Sequence, residues 1–442
     1  MRRILIANRG EIALRIIKTC ERMGIETIAV YSDADEGLPY VKAATESVRI
    51  GEPPVVKSYL QADVIIDLAK RMGADGIHPG YGFLSENAEF AQLAEQEGIT
   101  FIGPDPETIR LMGDKVASRS SMEKAGVPVV PGSTEGIETL EEALAAAGKI
   151  GYPVMLKASS GGGGIGMVKC SGEEELEKSF SSIKARAKAY FGSDGVFLEK
   201  FIKNARHIEV QVFGDRHGNI VHLFERDCSV QRRNQKVVEE SPSPFLSEGT
   251  RQNLFETAII AAKAVKYKNA GTIEFIFDEE ENFYFLEMNT RLQVEHPVTE
   301  EITGIDLVEW QIRVARGEAL PVNQNGITSS GHAIEFRLYA EDPVKFLPSP
   351  GKIEEFSFSE GDGIRIDSGY GKGDTVTPFY DPMIAKCIFF GDSREEALSR
   401  ARSFFGKLEI SGIKTNALLF KEIVDNPQFV KGNYTTAFLS KR

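Results

Sequence analysis

The sequence has little cysteine and no long apolar run. Four cysteines occur among 442 residues, and Cys20, Cys170, Cys228 and Cys387 are too widely spaced for a metal-binding motif or a disulfide framework. We interpret them as buried or incidental thiols of a reducing compartment. Met1 is not followed by a signal peptide, and no apolar stretch approaches the length of a membrane span. These absences predict a cytoplasmic protein that makes no contact with a membrane.

Basic residues are outnumbered by acidic ones. The chain has 52 lysines and arginines against 65 aspartates and glutamates, which gives a net charge of -13. That balance argues against nucleic-acid binding, which requires a basic stripe or patch. The densest basic stretch, residues 226–236, is short and mixed with polar groups, so it suits a compact anion. The chain is too long for one ordinary hydrophobic core, and we expect two or three packed modules.

Apolar strands and amphipathic helices alternate in the N-terminal part of the chain. Short apolar strands are predicted at 3–8, 26–31, 74–78 and 100–103, with helical patterns between them. This alternation predicts a doubly wound parallel sheet, an α/β fold.

The pattern changes near Lys115. A strand, a glycine run, a second strand, a helix over 173–190 and a strand over 196–202 predict a small α+β module. Alternating polar and apolar residues farther on, and more strands in the last hundred residues or so, predict a large and mainly antiparallel sheet.

The glycine run lies between two strands. It extends from Ser159 to Gly166 and includes Gly162, Gly163 and Gly164. Because no helix follows it, it is neither a Walker loop nor a Rossmann fingerprint. Its backbone amides can approach phosphate oxygens closely, whereas a simple hairpin tip needs fewer glycines. We therefore predict a mobile lid over phosphates and regard a plain hairpin tip as the alternative.

An acidic hairpin follows later in the chain. If its turn is centred between Glu280 and Glu281, Glu274 pairs directly with Glu287, and Asn289 lies on the same face. Two carboxylates about 5 Å apart repel by about 3 kcal/mol at an effective dielectric near 20. A hard divalent cation removes that repulsion, and Mg²⁺ shared with phosphates suits oxygen ligands best. The alternative is a solvated strand face, which the surrounding apolar residues disfavour.

The segment after the hairpin carries polar residues at every second position. Arg291, Gln293 and Glu295 share one side if the segment is extended. A guanidinium, an amide and a carboxylate that converge in this way can hold a small planar oxyanion and remove its proton. A surface ion pair is the alternative reading.

Three lysines are candidates for phosphate contacts: Lys115, Lys157 and Lys236. Lys157 lies in an apolar strand, where an unpaired ammonium is costly. Together with the hairpin, these residues predict an enzyme that uses magnesium-bound ATP to activate a small oxygen acid.

Several long motifs resemble those of biotin carboxylase, a family of the ATP-grasp superfamily. They cover residues 6–13, 78–87, 110–115, 206–211, 225–229, 287–299 and 346–351. The resemblance implies an N-terminal pre-ATP-grasp α/β domain at 1–113, a linker helix and lid subdomain at 114–202, an ATP-grasp catalytic subdomain at 203–330, and a C-terminal, mainly antiparallel domain at 331–442.

The resemblance also implies roles for individual residues. Glu295 is the base that deprotonates bicarbonate, Arg337 stabilises the enolate of biotin, and Arg291 and Lys236 complete the catalytic set. Glu274, Glu287 and Asn289 hold Mg²⁺ or Mn²⁺, and Gln293 and Val294 bind bicarbonate with Arg291. The implied nucleotide contacts are Lys115, Lys157, Gly162, Gly163, Gly164, Glu199, Ile202, His207, Gln231, Asn234, Lys236 and Ile276.

The implied reaction is the ATP- and bicarbonate-dependent carboxylation of biotin through carboxyphosphate, as the first half-reaction of an acyl-CoA or pyruvate carboxylase. Acetyl-CoA carboxylase, and thus fatty acid biosynthesis, is the expected context. No Met-Lys-Met tripeptide is present, so we expect biotin on a separate carrier protein. The resemblance also implies a separate carboxyltransferase subunit and a homodimer, for which we expect interface contacts from exposed Arg15, Lys18 and Arg22.

Two positions depart from the family pattern. Ile165 replaces a residue that is often basic, and Asn234 replaces a common histidine; both weaken nucleotide contacts without changing the reaction class. The alternatives are another ATP-grasp ligase with a different nucleophile and a catalytically weak nucleotide-binding regulatory subunit.

Overall fold

The computed structural model describes residues 1–133, 136–159, 166–192 and 194–441, without the side chains of Phe191 and Lys441. Gly162, Gly163, Gly164 and Ile165 lie outside the described residues. The predictions made for the glycine run therefore stay predictions.

The N-terminal part is a parallel five-stranded sheet with the strand order β3-β2-β1-β4-β5. Ile4, Leu5 and Ile6 are fully buried because helices cover both faces of the sheet, as predicted for a doubly wound fold. The elements are β1 (Arg3–Ile6), α1 (Gly10–Arg22), β2 (Glu26–Ser32), α2 (Pro39–Ala43), β3 (Glu46–Gly51), α3 (Ala62–Arg71), β4 (Gly76–His78), α4 (Ala88–Gln96), β5 (Thr100–Phe101) and α5 (Pro106–Gly113).

A small module follows, built on the antiparallel sheet β7-β6-β8. Val154, Leu156 and Leu198 form its core with helix residues such as Leu176. The predicted strands and the helix over 173–190 are present. The elements are α6 (Lys115–Lys124), α7 (Leu140–Ile150), β6 (Val154–Ala158), β7 (Met167–Cys170), α8 (Glu173–Phe191) and β8 (Val196–Lys200).

The rest of the chain builds an antiparallel eight-stranded sheet with the order β13-β12-β9-β10-β11-β14-β19-β17. Because β11 pairs with β14, the sheet runs without a break across the domain boundary predicted at 330; the predicted boundaries stay a prediction. The elements are β9 (Arg206–Gly214), β10 (Ile220–Arg232), β11 (Gln235–Ser241), α9 (Glu248–Ala264), β12 (Asn269–Phe277), β13 (Phe283–Asn289), α10 (His296–Thr303), α11 (Leu307–Ala315), β14 (His332–Tyr339), β15 (Gly351–Lys352), β16 (Glu355–Ser357), β17 (Ile364–Ser368), β18 (Thr375–Val376), β19 (Met383–Gly391), α12 (Arg394–Lys407), β20 (Glu409–Ser411), α13 (Ala417–Asp425) and α14 (Pro427–Val430).

The two faces of the large sheet differ in chemistry. On β9, Ile208, Val210 and Val212 pack with residues of α9, while Glu209 and Gln211 point to the opposite face. That second face carries charged side chains on most of the strands, yet these side chains are buried. A buried charged face is costly unless its groups are paired, so it marks the candidate site.

Three smaller expectations concern single residues and helices. All four cysteines are buried and free. Trp310 packs against Phe213 with ring centroids 5.5 Å apart, as expected for a core residue. Among the described residues, every helix is either too short or too polar to cross a membrane.

Candidate active site

The acidic hairpin brings Glu274 and Glu287 together. Glu274 on β12 lies directly opposite Glu287 on β13, and Thr272 lies opposite Asn289. The predicted turn centre is wrong, because Phe277 pairs with Phe283 about Glu280. A β-bulge at Leu286 adds one residue to β13 and restores the predicted Glu274–Glu287 pair.

Lys236 is the central cation of the site. Its Nζ lies 2.6 Å from Glu209, 2.9 Å from Glu274 and 2.7 Å from Glu295. Burial opposes the charge of Lys236, but the three carboxylates outweigh burial and raise its pKa well above the ordinary value. The ammonium therefore neutralises the space between three strands and the loop that precedes α10.

Glu274 is bonded on both oxygens. His207 Nε2 lies 2.7 Å from Oε2, while Oε1 accepts hydrogen bonds from Asn289 (2.8 Å) and Gln293 (2.7 Å). Burial raises the pKa of Glu274, but Lys236 and His207 outweigh it and hold that pKa well below its usual range. The carboxylate is therefore ionised, as a ligand for a cation must be.

Glu287 is less enclosed than Glu274. Its side chain is 29% exposed, and Lys115 Nζ lies 3.5 Å from its Oε2. Two opposed carboxylates, one of them open to solvent, fit the oxygen-donor set that Mg²⁺ takes together with water and phosphate. Asn289 directs its NH₂ group to Glu274 and its oxygen to Arg291.

The predicted extended segment from Arg291 to Glu295 is wrong. The chain turns at residues 294 and 295, and Pro297 lies in the first turn of α10. As a result the three side chains have different partners: Arg291 pairs with Glu86 at 2.9 Å, Gln293 donates to Glu274, and Glu295 pairs with Lys236. Arg291 still contacts the group through Asn289 at 2.9 Å.

Glu295 lies between two cations. Its Oε1 accepts from Lys236, and its Oε2 accepts from Arg337 at 2.9 Å. Burial raises the pKa of Glu295, but Lys236, Arg337 and Arg226 outweigh it, and the pKa lies well below the ordinary value. Arg337 also contacts Glu239 at 2.6 Å.

Arg226 is a buried residue for which the sequence motifs predict no individual role. It is fully buried and donates to Glu209 (2.6 Å), Gln211 (2.7 Å) and Gln293 (2.8 Å), and to Thr272 and Thr299. It thereby holds two side chains in fixed positions: Gln293, the candidate ligand for bicarbonate, and Glu209, which pairs with Lys236. The available signal was the alternation of Glu209 and Gln211 with the apolar residues Ile208, Val210 and Val212.

Lys157, on strand β6 of the small module, pairs with a glutamate of the neighbouring strand β8. Lys157 forms an ion pair with buried Glu199, and Arg119 lies 3.3 Å from the same carboxylate. The side-chain nitrogen of Gln231 lies 2.8 Å from His207 Nδ1, and Ile276 lies opposite His207 in the sheet.

The other predicted residues lie around this group. Asn234 is exposed in the β10–β11 turn, where its φ of 65° is left-handed. Val294 accepts from Lys386 Nζ through its backbone oxygen at 3.0 Å, and Ile202 is half-buried just after β8.

One predicted surface residue is buried. Arg15 was expected to be exposed, but it is 6% exposed and bonds Glu300 at 2.7 Å and Asp306 at 3.0 Å. Lys18 and Arg22 are exposed as expected. Arg15 therefore ties α1 to α10 and to the segment between α10 and α11.

Models of known protein families match nearly the whole chain. Family models match residues 1–109 (Biotin carboxylase, N-terminal domain), 114–323 (Carbamoyl-phosphate synthase L chain, ATP binding domain) and 335–441 (Biotin carboxylase C-terminal domain). The biotin carboxylase of Halalkalibacterium halodurans is 56% identical over 439 residues, which cover 99% of this chain and 97% of the relative.

Solved structures of related proteins match the fold of this chain over its full length. A Campylobacter jejuni biotin carboxylase in a β-γ-ATP complex has a TM-score of 0.98 at 47% identity and covers 100% of this chain and 99% of its own. The biotin carboxylase domain dimer of Hydrogenobacter thermophilus 2-oxoglutarate carboxylase, with MgADP, ADP and bicarbonate, has a TM-score of 0.97 at 49% identity, with coverage of 100% and 97%. Related chains also occur in methylcrotonoyl-CoA and pyruvate carboxylases. With three matching family models and a full-length relative above half identity, this chain belongs to the biotin carboxylase family.

Proposed function

We propose that this enzyme carboxylates biotin on a separate carrier protein, using ATP and bicarbonate, through a carboxyphosphate intermediate. The observation that carries the proposal is the position of Glu295, held by Lys236 and Arg337 on the same sheet face as the paired Glu274 and Glu287. A base, two cations and a pair of oxygen ligands are the groups that this reaction requires.

We assign bicarbonate to the space between Gln293, Val294 and Arg291, with Glu295 as the base. Gln293 is held on both sides, because its oxygen accepts from Arg226 and its NH₂ donates to Glu274. A fixed amide beside a guanidinium favours a planar oxyanion in one orientation.

The basicity of Glu295 depends on where its two cations point. In this structure Lys236 and Arg337 occupy both of its oxygens and hold its pKa low. The proposal assigns Lys236 to the phosphates of ATP and Arg337 to biotin. When Lys236 turns to a phosphate, the pKa of Glu295 rises, so the base becomes effective only after ATP has bound.

Glu274, Glu287 and Asn289 are the proposed ligands of Mg²⁺ or Mn²⁺. The bound ion supplies charge neutralisation for the phosphates. Lys115, Lys157, Glu199, Ile202, His207, Gln231, Asn234, Ile276 and the glycine run are the proposed nucleotide contacts, with the glycine run as a mobile lid that excludes water.

The final acceptor that we propose is acetyl-CoA, which places the chain in a cytoplasmic acetyl-CoA carboxylase with a biotinylated carrier and a carboxyltransferase subunit. To test this choice, the chain is captured from its native extract. The biotinylated partner and its carboxyltransferase are then identified. A carboxyltransferase specific for methylcrotonoyl-CoA, pyruvate or 2-oxoglutarate would overturn the acetyl-CoA assignment and leave the first half-reaction intact.

The reaction itself is tested with free biotin and labelled bicarbonate. We expect incorporation of label into biotin that requires ATP and Mg²⁺, and biotin-stimulated release of phosphate. Glu295→Gln is expected to abolish incorporation, since the amide is not a base, whereas Glu256→Gln, an exposed change on α9, retains it. Equal turnover of Glu295→Gln and the unaltered enzyme contradicts the assignment of the base.

A further inference from the structure

Two buried glutamates face each other next to Arg337 in the large sheet. Glu239 on β11 lies directly opposite Glu335 on β14, and both are 0% exposed. Directly paired side chains on antiparallel strands have Cβ atoms about 5 Å apart. Neither residue is among the ligands, bases or substrate contacts proposed above.

The two carboxyl groups have different surroundings. Glu239 Oε1 lies 2.6 Å from a guanidinium nitrogen of Arg337. Within the described part of the chain, none of the four carboxyl oxygens of Glu239 and Glu335 has a hydrogen-bond partner, and no Lys, Arg or His nitrogen forms an ion pair with Glu335 within 4.0 Å. Glu239 therefore has a counterion, and Glu335 lacks one.

Two ionised carboxylates are unfavourable in this geometry. The two charges repel each other across the strand pair, and full burial adds a desolvation cost for each charge. Burial raises the pKa of both groups, and Arg337 opposes this rise at Glu239. At Glu335, Lys386 and Arg337 oppose burial while Glu239 adds to it, and the pKa of Glu335 lies well above its usual range. Because Glu239 has the closer counterion, the proton belongs on Glu335.

We propose that Glu239 and Glu335 hold one proton between them, so that neutral Glu335 donates to ionised Glu239 and Glu239 positions Arg337 for biotin. This inference rests on the proposed function for the role of Arg337, but the shared proton itself does not. Glu239 is a positioning residue, since it acts through Arg337.

The charges around the pair support one proton rather than none or two. Arg337 is shared, because the same nitrogen that contacts Glu239 also donates to Glu295 at 2.9 Å. Lys386, the cation on the next strand, is engaged by Glu11 at 3.1 Å and by the oxygen of Val294. The titratable and charged groups that interact electrostatically with the pair are Cys228 on β10, Lys236 on β11, Glu295 before α10, Arg337 and Tyr339 on β14, and Lys386 and Cys387 on β19.

The arrangement has a consequence for the reaction. When Glu295 accepts a proton from bicarbonate, it loses its charge and its hold on Arg337. Glu239 stays ionised because Glu335 keeps the proton, so the guanidinium retains one fixed anionic partner while its remaining N–H groups face the biotin ring. A guanidinium that is fixed in advance stabilises an enolate better than one that must reorganise.

Two substitutions of Glu335 test whether its hydrogen-bond donor supports the reaction. Glu335→Gln keeps a donor of the same shape, so kcat for biotin carboxylation near neutral pH is expected within about twofold of the unaltered enzyme. Glu335→Leu keeps the volume but removes the donor, so kcat is expected to fall about tenfold, the lower end for loss of a supporting hydrogen bond. The KM for ATP is expected to be unchanged in both, because ATP does not contact this pair.

Infrared difference spectroscopy tests the proton without any assay of activity. The spectrum of the unaltered enzyme minus that of Glu335→Gln is expected to contain the carbonyl band of a protonated carboxylic acid near neutral pH. A difference spectrum with carboxylate bands only overturns the shared proton. Equal loss of kcat in Glu335→Gln and Glu335→Leu, or full activity of Glu335→Leu, overturns the positioning role. If the unaltered enzyme does not carboxylate biotin, the proposed function fails, and the infrared result still decides the proton.

Discussion

Arg226 donates a hydrogen bond of 2.8 Å to the side-chain oxygen of Gln293, and both residues are buried. The same guanidinium bonds Glu209, which in turn holds Lys236. One cation thus links the amide proposed to bind bicarbonate with the ammonium proposed to bind phosphate. Because a planar fork reaches several acceptors at fixed angles, lysine does not replace arginine here.

We expect Arg226→Lys to raise the KM for bicarbonate by about tenfold or more, because Gln293 loses its fixed orientation. The charge is retained, so the chain is expected to fold. Arg402→Lys is the matched control, since Arg402 pairs with Asp425 at the surface. Initial rates over a range of bicarbonate concentrations measure the effect. An unchanged KM in Arg226→Lys would show that Gln293 does not depend on this bond.

Glu287→Gln is expected to raise the magnesium concentration needed for half-maximal activity, because an amide is a weaker ligand than a carboxylate. Glu280→Gln, an exposed change in the turn of the same hairpin, is expected to leave that concentration unaltered. Activity is measured against free Mg²⁺ at saturating ATP. Identical magnesium dependence in the two variants removes Glu287 from the metal site.

The Glu274–Glu287 pair was predictable because side chains alternate regularly along strands joined by a short turn. The position of the turn was not predictable. The strands pair about Glu280, and a bulge at Leu286 then shifts the register by one residue. A bulge adds one residue at little cost, and no sequence pattern in this hairpin marks it. The correct pair therefore depended on two departures from an ideal hairpin that cancel.

The segment after β13 shows where alternation misleads. Arg291, Gln293 and Glu295 alternate in sequence, but the chain turns before Pro297, a residue favoured in the first turn of a helix. That proline was a usable signal for a helix start. Arg226 and Glu239 were harder to assign, because a buried charge is recognised only once its partners on other strands are known.

Glu240 anchors the C-terminal segment through Arg394 at 2.6 Å and His332 and Tyr434 at 2.5 Å each. Burial raises the pKa of Glu240, but Arg394 and His332 outweigh it and lower the pKa to about 2. A carboxyl with a lowered folded pKa contributes stability above its unfolded pKa and loses that contribution as the pH falls toward the folded value.

We therefore expect Glu240→Gln to lower stability near neutral pH by about 3 kcal/mol or more, as for loss of one partner of a buried ion pair. The difference between the two proteins is expected to narrow as the pH falls from about 5 to about 4, since the unfolded chain begins to bind protons there. Thermal unfolding midpoints at several pH values measure it. A constant difference would show that Glu240 does not stabilise the fold through its charge.

Lys18 and Arg15 are expected to behave differently in a dimer. Lys18 is exposed, so Lys18→Glu is expected to shift the chain toward the monomer in light scattering with little change in thermal midpoint. Arg15→Leu removes the partner of Glu300 and Asp306, and is expected to lower the thermal midpoint first. A dimer that tolerates Lys18→Glu places the interface away from this face of α1.

Lys236 offers the most direct test of the site's electrostatics. Lys236→Met leaves Glu209, Glu274 and Glu295 without the ammonium that they share. The pKa values of Glu274 and Glu295 are then expected to rise, because burial is no longer offset to the same extent. A carboxyl whose folded pKa is raised above its unfolded value stabilises the fold at low pH, and that contribution is lost as the pH rises.

In magnesium-free buffer, the thermal midpoint of Lys236→Met is therefore expected to fall below that of the unaltered enzyme most at alkaline pH and least near pH 5 or so. Lys236→Arg, which keeps the charge, is the control. Adding Glu209→Gln to Lys236→Met is expected to recover part of the lost stability and none of the activity, since one buried charge is removed while the phosphate contact stays absent. If the midpoint difference is independent of pH, Glu274 and Glu295 are not held ionised by Lys236, and the dependence of Glu295 basicity on this lysine is wrong.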